Sequence, residues 1–261
     1  MKYNRIKAFV IIALISCIAI RTLQLFFTID EVTGFHIKEF ENYGRIMTAI
    51  IFAFALFTVI FSLISHKKPE HPPKQNPLIS LLAVFLSVTV FLDALNCQSN
   101  IVAKAFQETA LLVTGFLASL FFLLYAISGF VKFNIPKVMF LFPTLFYIIK
   151  LAFDFLNVSS IAMINDSVMH ITSECFILIF MLQFAKLYFG MDSDYNFRKI
   201  MASGFATSIF CLSQTVSQFI YVFFANGQFR HLPVTSHLNL LAFGLFSLVF
   251  TFCHFGKKNC E

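Results

Sequence analysis

Two pairs of residues able to do ionic, proton-transfer or metal chemistry recur at one-turn spacing within Tyr147 to Phe176, YIIKLAFDFLNVSSIAMINDSVMHITSECF. Lys150 and Asp154 stand i, i+4 in one apolar run, and His170 and Glu174 stand i, i+4 in the next. Residues four apart share a helix face, and the short polar link between the runs makes the two helices neighbours. Ionisable groups inside apolar segments are costly and face a bundle interior, a water-filled cavity or one another. The pattern predicts a Lys150–Glu174 pair with an Asp154–His170 pair above it.

Six further polar or ionisable residues interrupt apolar runs: Arg21, Gln24, Asp93, Gln214, Gln218 and His237, joined by Asn239. Depth follows from about 1.5 Å of rise per residue, counted from the span ends. Arg21, Lys150, Glu174, Gln218 and Asn239 fall roughly 9 Å below the outer surface, with Gln214 deeper. Gln24, Asp93, Asp154, His170 and His237 form a rim above them. The expected arrangement is an outward-facing polar bowl over a plug of Phe and Leu. Its charge count, Arg21 and Lys150 against Asp93, Asp154 and Glu174 with Glu108 at the mouth, favours a cation, an amine, a zwitterion or a proton over a bare anion. His170, Glu174 and His237 are acceptable but weak metal-ligand candidates, since an HxxxE pair on one helix can chelate.

The elements that must hold these groups follow from composition. Apolar residues make up 59% of the chain, charged residues 12%, and mean hydropathy is +0.82, outside the range of a soluble domain. A span needs about 20 mainly apolar residues. Eight such runs occur, at about 8–27, 46–65, 78–95, 110–131, 138–156, 168–189, 200–225 and 233–254. The expected fold is all-α: a polytopic integral membrane helical bundle of eight transmembrane helices, one transmembrane domain over 1–261. Trp is absent and Phe numbers 38, so any interfacial aromatic belt is built from Tyr and Phe. Segment seven, with Ala202, Gly204, Ala206 and Ser208 beside Gln214 and Gln218, should be central. Segment five contains Pro143, where a kink would be tolerated if neighbouring groups satisfy the freed carbonyl.

Of the 19 Lys and Arg residues, Arg21 and Lys150 lie within spans, Lys38, Arg45, Lys104 and Arg230 lie in alternate connections, and the remaining thirteen lie on the opposite side. The positive-inside rule then puts both chain ends on the cytoplasmic side, in the cell membrane. A basic start followed by Leu14-Ile15-Ser16-Cys17 resembles a lipidation signal, but the apolar run continues past Cys17 and argues for a retained span. The connection carrying Asp30, Glu31, Glu39 and Glu41 is expected to be an acidic outer loop. The proline-rich stretch with His66 and His71 is expected to be a cytoplasmic connector.

Several classes are excluded. The basic residues are scattered, so no nucleic-acid surface is expected. The six cysteines have no CxxC spacing and indicate neither a disulfide framework nor a zinc ribbon. HExxH, GxSxG, Walker A and GxGxxG motifs are absent, as is any internal repeat. The sequons at Asn157 and Asn165 are read as coincidence. The leading expectation is a protein that binds or transports a small polar solute or cation, with the lipid bilayer as its surroundings and no cofactor. The alternatives are a membrane sensor or partner subunit of a larger membrane complex, and then an intramembrane metal-dependent hydrolase.

Overall fold

The computed structural model describes residues 2–30, 35–65, 76–96, 104–131, 134–159, 165–190, 194–225 and 233–254. Every long element is a helix: α1 Lys2–Phe27, α2 Glu41–Ser65, α3 Pro77–Leu95, α4 Lys104–Ser128, α5 Leu141–Ser159, α6 Asn165–Tyr188, α7 Asp194–Ala225 and α8 Val234–His254. All eight are long and apolar enough to cross a membrane. By length and composition these are the proportions of a multi-pass integral membrane protein.

The ends are set by local chemistry. Asn76 caps α3, its side-chain oxygen accepting from the Leu78 N–H at 3.2 Å, with Pro77 at the first helical position. Beyond α6, Gly190 takes φ +82°, the left-handed conformation that stops a helix at little steric cost to glycine. The start of α5 decides what Pro143 does. The run opens as a 3₁₀ turn at Lys137–Phe140, and α5 starts at Leu141. Pro143 therefore occupies the first turn, where its missing N–H has no intrahelical partner to lose.

The acidic connection is more structured than expected where it is described. Ile29 and His36 form an antiparallel bridge, a 3₁₀ turn spans Lys38–Phe40, and α2 begins at Glu41, ahead of the predicted boundary. Glu41 pairs with Arg45 on an exposed face. Glu31, His66, His71, Cys97, Arg230 and Cys260 lie outside the described residues.

Six helices form a closed ring: α3 packs on α4, α4 on α5, α5 on α6, α6 on α7, α7 on α8, and α8 returns to α3. α1 and α2 pack on each other and on α7. This makes α7 central, and its side chains from 200 to 215 are all buried. Its small residues let neighbours approach closely. A Cβ on Gly204 would lie 2.4 Å from Thr251 Cγ2 of α8 and 3.1 Å from Phe180 of α6. Hydroxyls bind across the helix seams, Thr207 Oγ1 donating to the Phe176 carbonyl at 2.9 Å and Ser217 Oγ to the Ile18 carbonyl at 3.1 Å. Cys17 is buried within continuous α1, among Ala13, Ile209 and Phe210.

One end of the ring interior is filled by aromatic rings. Phe121, Phe122 and Tyr125 of α4 meet Phe140 before α5, Phe180 and Phe184 of α6, and Phe246 and Phe250 of α8. Outward faces are apolar as well, with Leu56, Ile64, Leu81, Phe116 and Phe223 exposed. A bilayer would cover such faces, whereas water would not.

Gly204→Leu is expected to destabilise the bundle by about 1–3 kcal/mol through overpacking against Thr251 and Phe180. Ala53→Leu, on an exposed face of α2, should leave stability unchanged. Thermal unfolding of the two purified variants in detergent checks the difference.

Candidate functional site

The polar side chains gather where α5 ends and α6 begins, at the opposite end of the ring from the aromatic plug. Lys150 on α5 is the hub. Its ammonium lies 2.5 Å from Asp93 Oδ2 on α3 and 3.2 Å from Glu174 Oε1 on α6. The expected Lys150–Glu174 pair is therefore present, but Asp93 is the nearer partner. Depth counting put Asp93 on the rim because it assumed that all spans end at one height. Asp93 is instead buried, accepting from Ser236 Oγ at 2.6 Å and Asn239 Nδ2 at 2.8 Å, both on α8. Tyr147 donates to Asn239 Oδ1 at 3.0 Å, which directs the amide nitrogen toward the carboxylate.

One turn nearer the helix ends, His170 Nε2 lies 3.5 Å from Asp154 Oδ2 and 3.3 Å from Glu174 Oε1. Asp154 and His170 thus meet as the spacing predicts. Asp154 is the most exposed member of the group, with 22% of its side chain accessible, against 0% for Glu174 and 4% for His170.

Arg21 belongs to a second cluster. It is fully buried, pairs with Asp166 at the start of α6, and donates to Gln24 Oε1. Gln24 passes the link to α2 through the Gly44 carbonyl at 2.9 Å and Thr48 Oγ1 at 2.8 Å. Gln218 of α7 reaches Asp166 Oδ2 at 3.5 Å. Gln214 stands apart from both clusters, accepting from Ser173 Oγ at 3.0 Å.

Asp166, Tyr147, Ser173 and Ser236 were missed as site residues. A signal for Asp166 existed: Asp166, His170 and Glu174 form a D-x-x-x-H-x-x-x-E stripe along one helix face. It was passed over because Asp166 sits inside a sequon and beside a loop. The stripe makes α6 common to both clusters. Its first carboxylate also lies at the positive end of the helix dipole, which favours a negative charge there.

The metal-ligand candidates regroup. The ligating atoms of Asp154, His170 and Glu174 all lie within 4.8 Å of one another. His237, grouped with them from residue type alone, is buried on α8 and is not one of that set; Asp154 takes its place because α5 and α6 are adjacent. Glu108 is half-buried near the start of α4.

Six helices supply this polar layer: α1, α3, α5, α6, α7 and α8. Such an arrangement can hold charge within an apolar body because Arg21 and Lys150 each face carboxylates and His170 stands between Asp154 and Glu174. Fold and site together define a class, a multi-pass helical bundle with a buried ionic layer at one end. Compared with family models, curated proteins and solved structures, the chain matches none.

Lys150→Met leaves Asp93 and Glu174 without their cation and is expected to cost about 3–5 kcal/mol, the range for breaking a buried pair. The Asp93→Asn/Lys150→Met double variant should recover part of that loss. The coupling energy, about 0.5–3 kcal/mol, should be larger for Lys150 with Asp93 than for Lys150 with Glu174. A double-mutant cycle from denaturant or thermal unfolding measures both.

Proposed function

We propose that this protein binds, and carries across or reports at the membrane, a small cation or a solute bearing a cationic group. The observation behind this reading is the charge balance of the polar layer. Arg21 and Asp166 offset each other, as do Lys150 and Asp93, while Asp154 and Glu174 remain with His170 between them. With neutral histidines the described residues of the layer carry a net charge of −2, and with His170 protonated −1. A bare anion would add to that excess, whereas a cation reduces it. Asp154, the most exposed member, marks the side from which a solute would enter.

The reading includes orientation. Thirteen basic residues on one side against Lys38, Arg45, Lys104 and Arg230 on the other favour chain ends in the cytoplasm and a polar layer toward the exterior of the cell membrane. The expected outcome of a cysteine-accessibility scan is that connector 66–75 is labelled only from the cytoplasmic side. Labelling from outside would reverse the orientation.

Binding is tested by thermal unfolding of the full chain in nanodiscs against Na⁺, K⁺, Zn²⁺, primary amines, zwitterionic amino acids and carboxylates. A binder present at about 100 times its Kd adds roughly 2.7 kcal/mol to stability. A cationic or zwitterionic compound should raise the unfolding temperature of the wild type and fail to do so for Lys150→Met/Glu174→Gln. Stabilisation by carboxylates alone would overturn the reading.

A further inference from the structure

The geometry points to Asp154, His170 and Glu174 as the ligands of one divalent transition-metal ion, with zinc as the best-fitting type. This rests on the cation reading and narrows it. In a tetrahedral zinc site, bonds of about 2.0 to 2.2 Å to imidazole nitrogen and carboxylate oxygen hold neighbouring ligand atoms about 3.3 to 3.6 Å apart. His170 Nε2 stands 3.3 Å from Glu174 Oε1 and 3.5 Å from Asp154 Oδ2, so two edges of that tetrahedron are already formed. The third lies between the two carboxylates, and all three ligand atoms fall within 4.8 Å of one another. Asp154, being partly exposed, has room to rotate and close it.

A second observation is independent of spacing. His170 Nε2, Asp154 Oδ2 and both Glu174 carboxylate oxygens are buried and make no well-formed hydrogen bond, Glu174 Oε1 having only its ion-pair contacts with Lys150 and His170. Buried polar atoms are otherwise almost always satisfied, and an unmade bond costs about 1–3 kcal/mol for each group. Here several converge on one point without a well-aligned donor. A metal ion would satisfy them together.

Charge supplies the third. Once Arg21 is set against Asp166 and Lys150 against Asp93, two carboxylates and His170 remain, and an imidazole that ligates a metal is neutral. A divalent ion brings the described layer to neutrality, the condition most easily tolerated inside an apolar bundle. Imidazole with carboxylate oxygen suits zinc and its neighbours, whereas magnesium and calcium prefer all-oxygen sets. Three protein ligands leave a fourth position for water or a carried group.

The test uses the full chain, stripped with a chelator and dialysed against Zn²⁺ in detergent. One equivalent should bind, and X-ray absorption should report a shell of one imidazole with oxygen ligands and no sulfur. Asp154→Asn, His170→Gln and Glu174→Gln should each weaken zinc binding by more than the roughly 10- to 100-fold caused by losing a supporting residue. Asp154→Asn lies at the accessible edge and should fold even if the buried variants do not. Zinc below one equivalent, sulfur in its shell or unchanged affinity in Asp154→Asn would each overturn the assignment. Stabilisation by amines or monovalent ions in the same preparations, without zinc binding, would leave the cation reading standing and remove only the metal.

Discussion

An ammonium group in an apolar interior must be met by opposite charge, and the position of Lys150 shows how far that requirement shapes the molecule. Asp93 and Glu174 flank its nitrogen from α3 and α6, so one side chain on α5 ties together helices from opposite parts of the ring. Asp93 then draws in Ser236 and Asn239, and Asn239 draws in Tyr147. The network is closed because each member supplies what the next lacks. Removing a member leaves a charge that neither lipid nor aromatic rings can solvate.

The same constraint separates the ring into two ends. Where hydrogen-bonding side chains converge, α6 offers Asp166, His170 and Glu174 along one face. About two turns beyond Glu174, the helix offers Phe180 and Phe184, which pack edge-on against Phe246 and Phe250. Aromatic pairs of this kind are worth about 0.5–1.5 kcal/mol beyond their burial, and the Tyr125 and Tyr188 hydroxyls add a hydrogen bond of 3.0 Å to the plug. Central α7 serves both ends with small residues and hydroxyls, and reserves Gln214 and Gln218 for the polar one.

The eight helices were legible because hydropathy over about 20 residues is a strong signal, and the centrality of α7 was legible because Gly204, Ala206 and the glutamines make poor lipid-facing surface. The α5–α6 pairings could be read because a short link fixes the register between two i, i+4 motifs. What could not be read was partner choice between helices far apart in sequence. Lys150 with Asp93 and Arg21 with Asp166 depend on ring closure and on relative helix heights, neither of which is encoded locally. The setting of Pro143 was hidden for a related reason: it depends on where the helix starts, and a 3₁₀ turn puts that start at Leu141.

The length of α7 has its own mechanical outcome. Its 32 residues make a rod of about 48 Å, well beyond a hydrocarbon thickness of roughly 30 Å. A tilt of about 20° shortens its projection by only a few ångströms. In a bilayer of that thickness, part of the rod would stand outside the hydrocarbon layer. Near its start α7 carries the half-buried Arg198 and Lys199, and at its far end Phe223 and Phe224 are exposed and pack edge-on against each other. In a membrane, such different chemistry at the two ends would oppose sliding of the central helix along the normal, and the polar layer, tied to it through Gln218, would keep its height relative to the lipid surface.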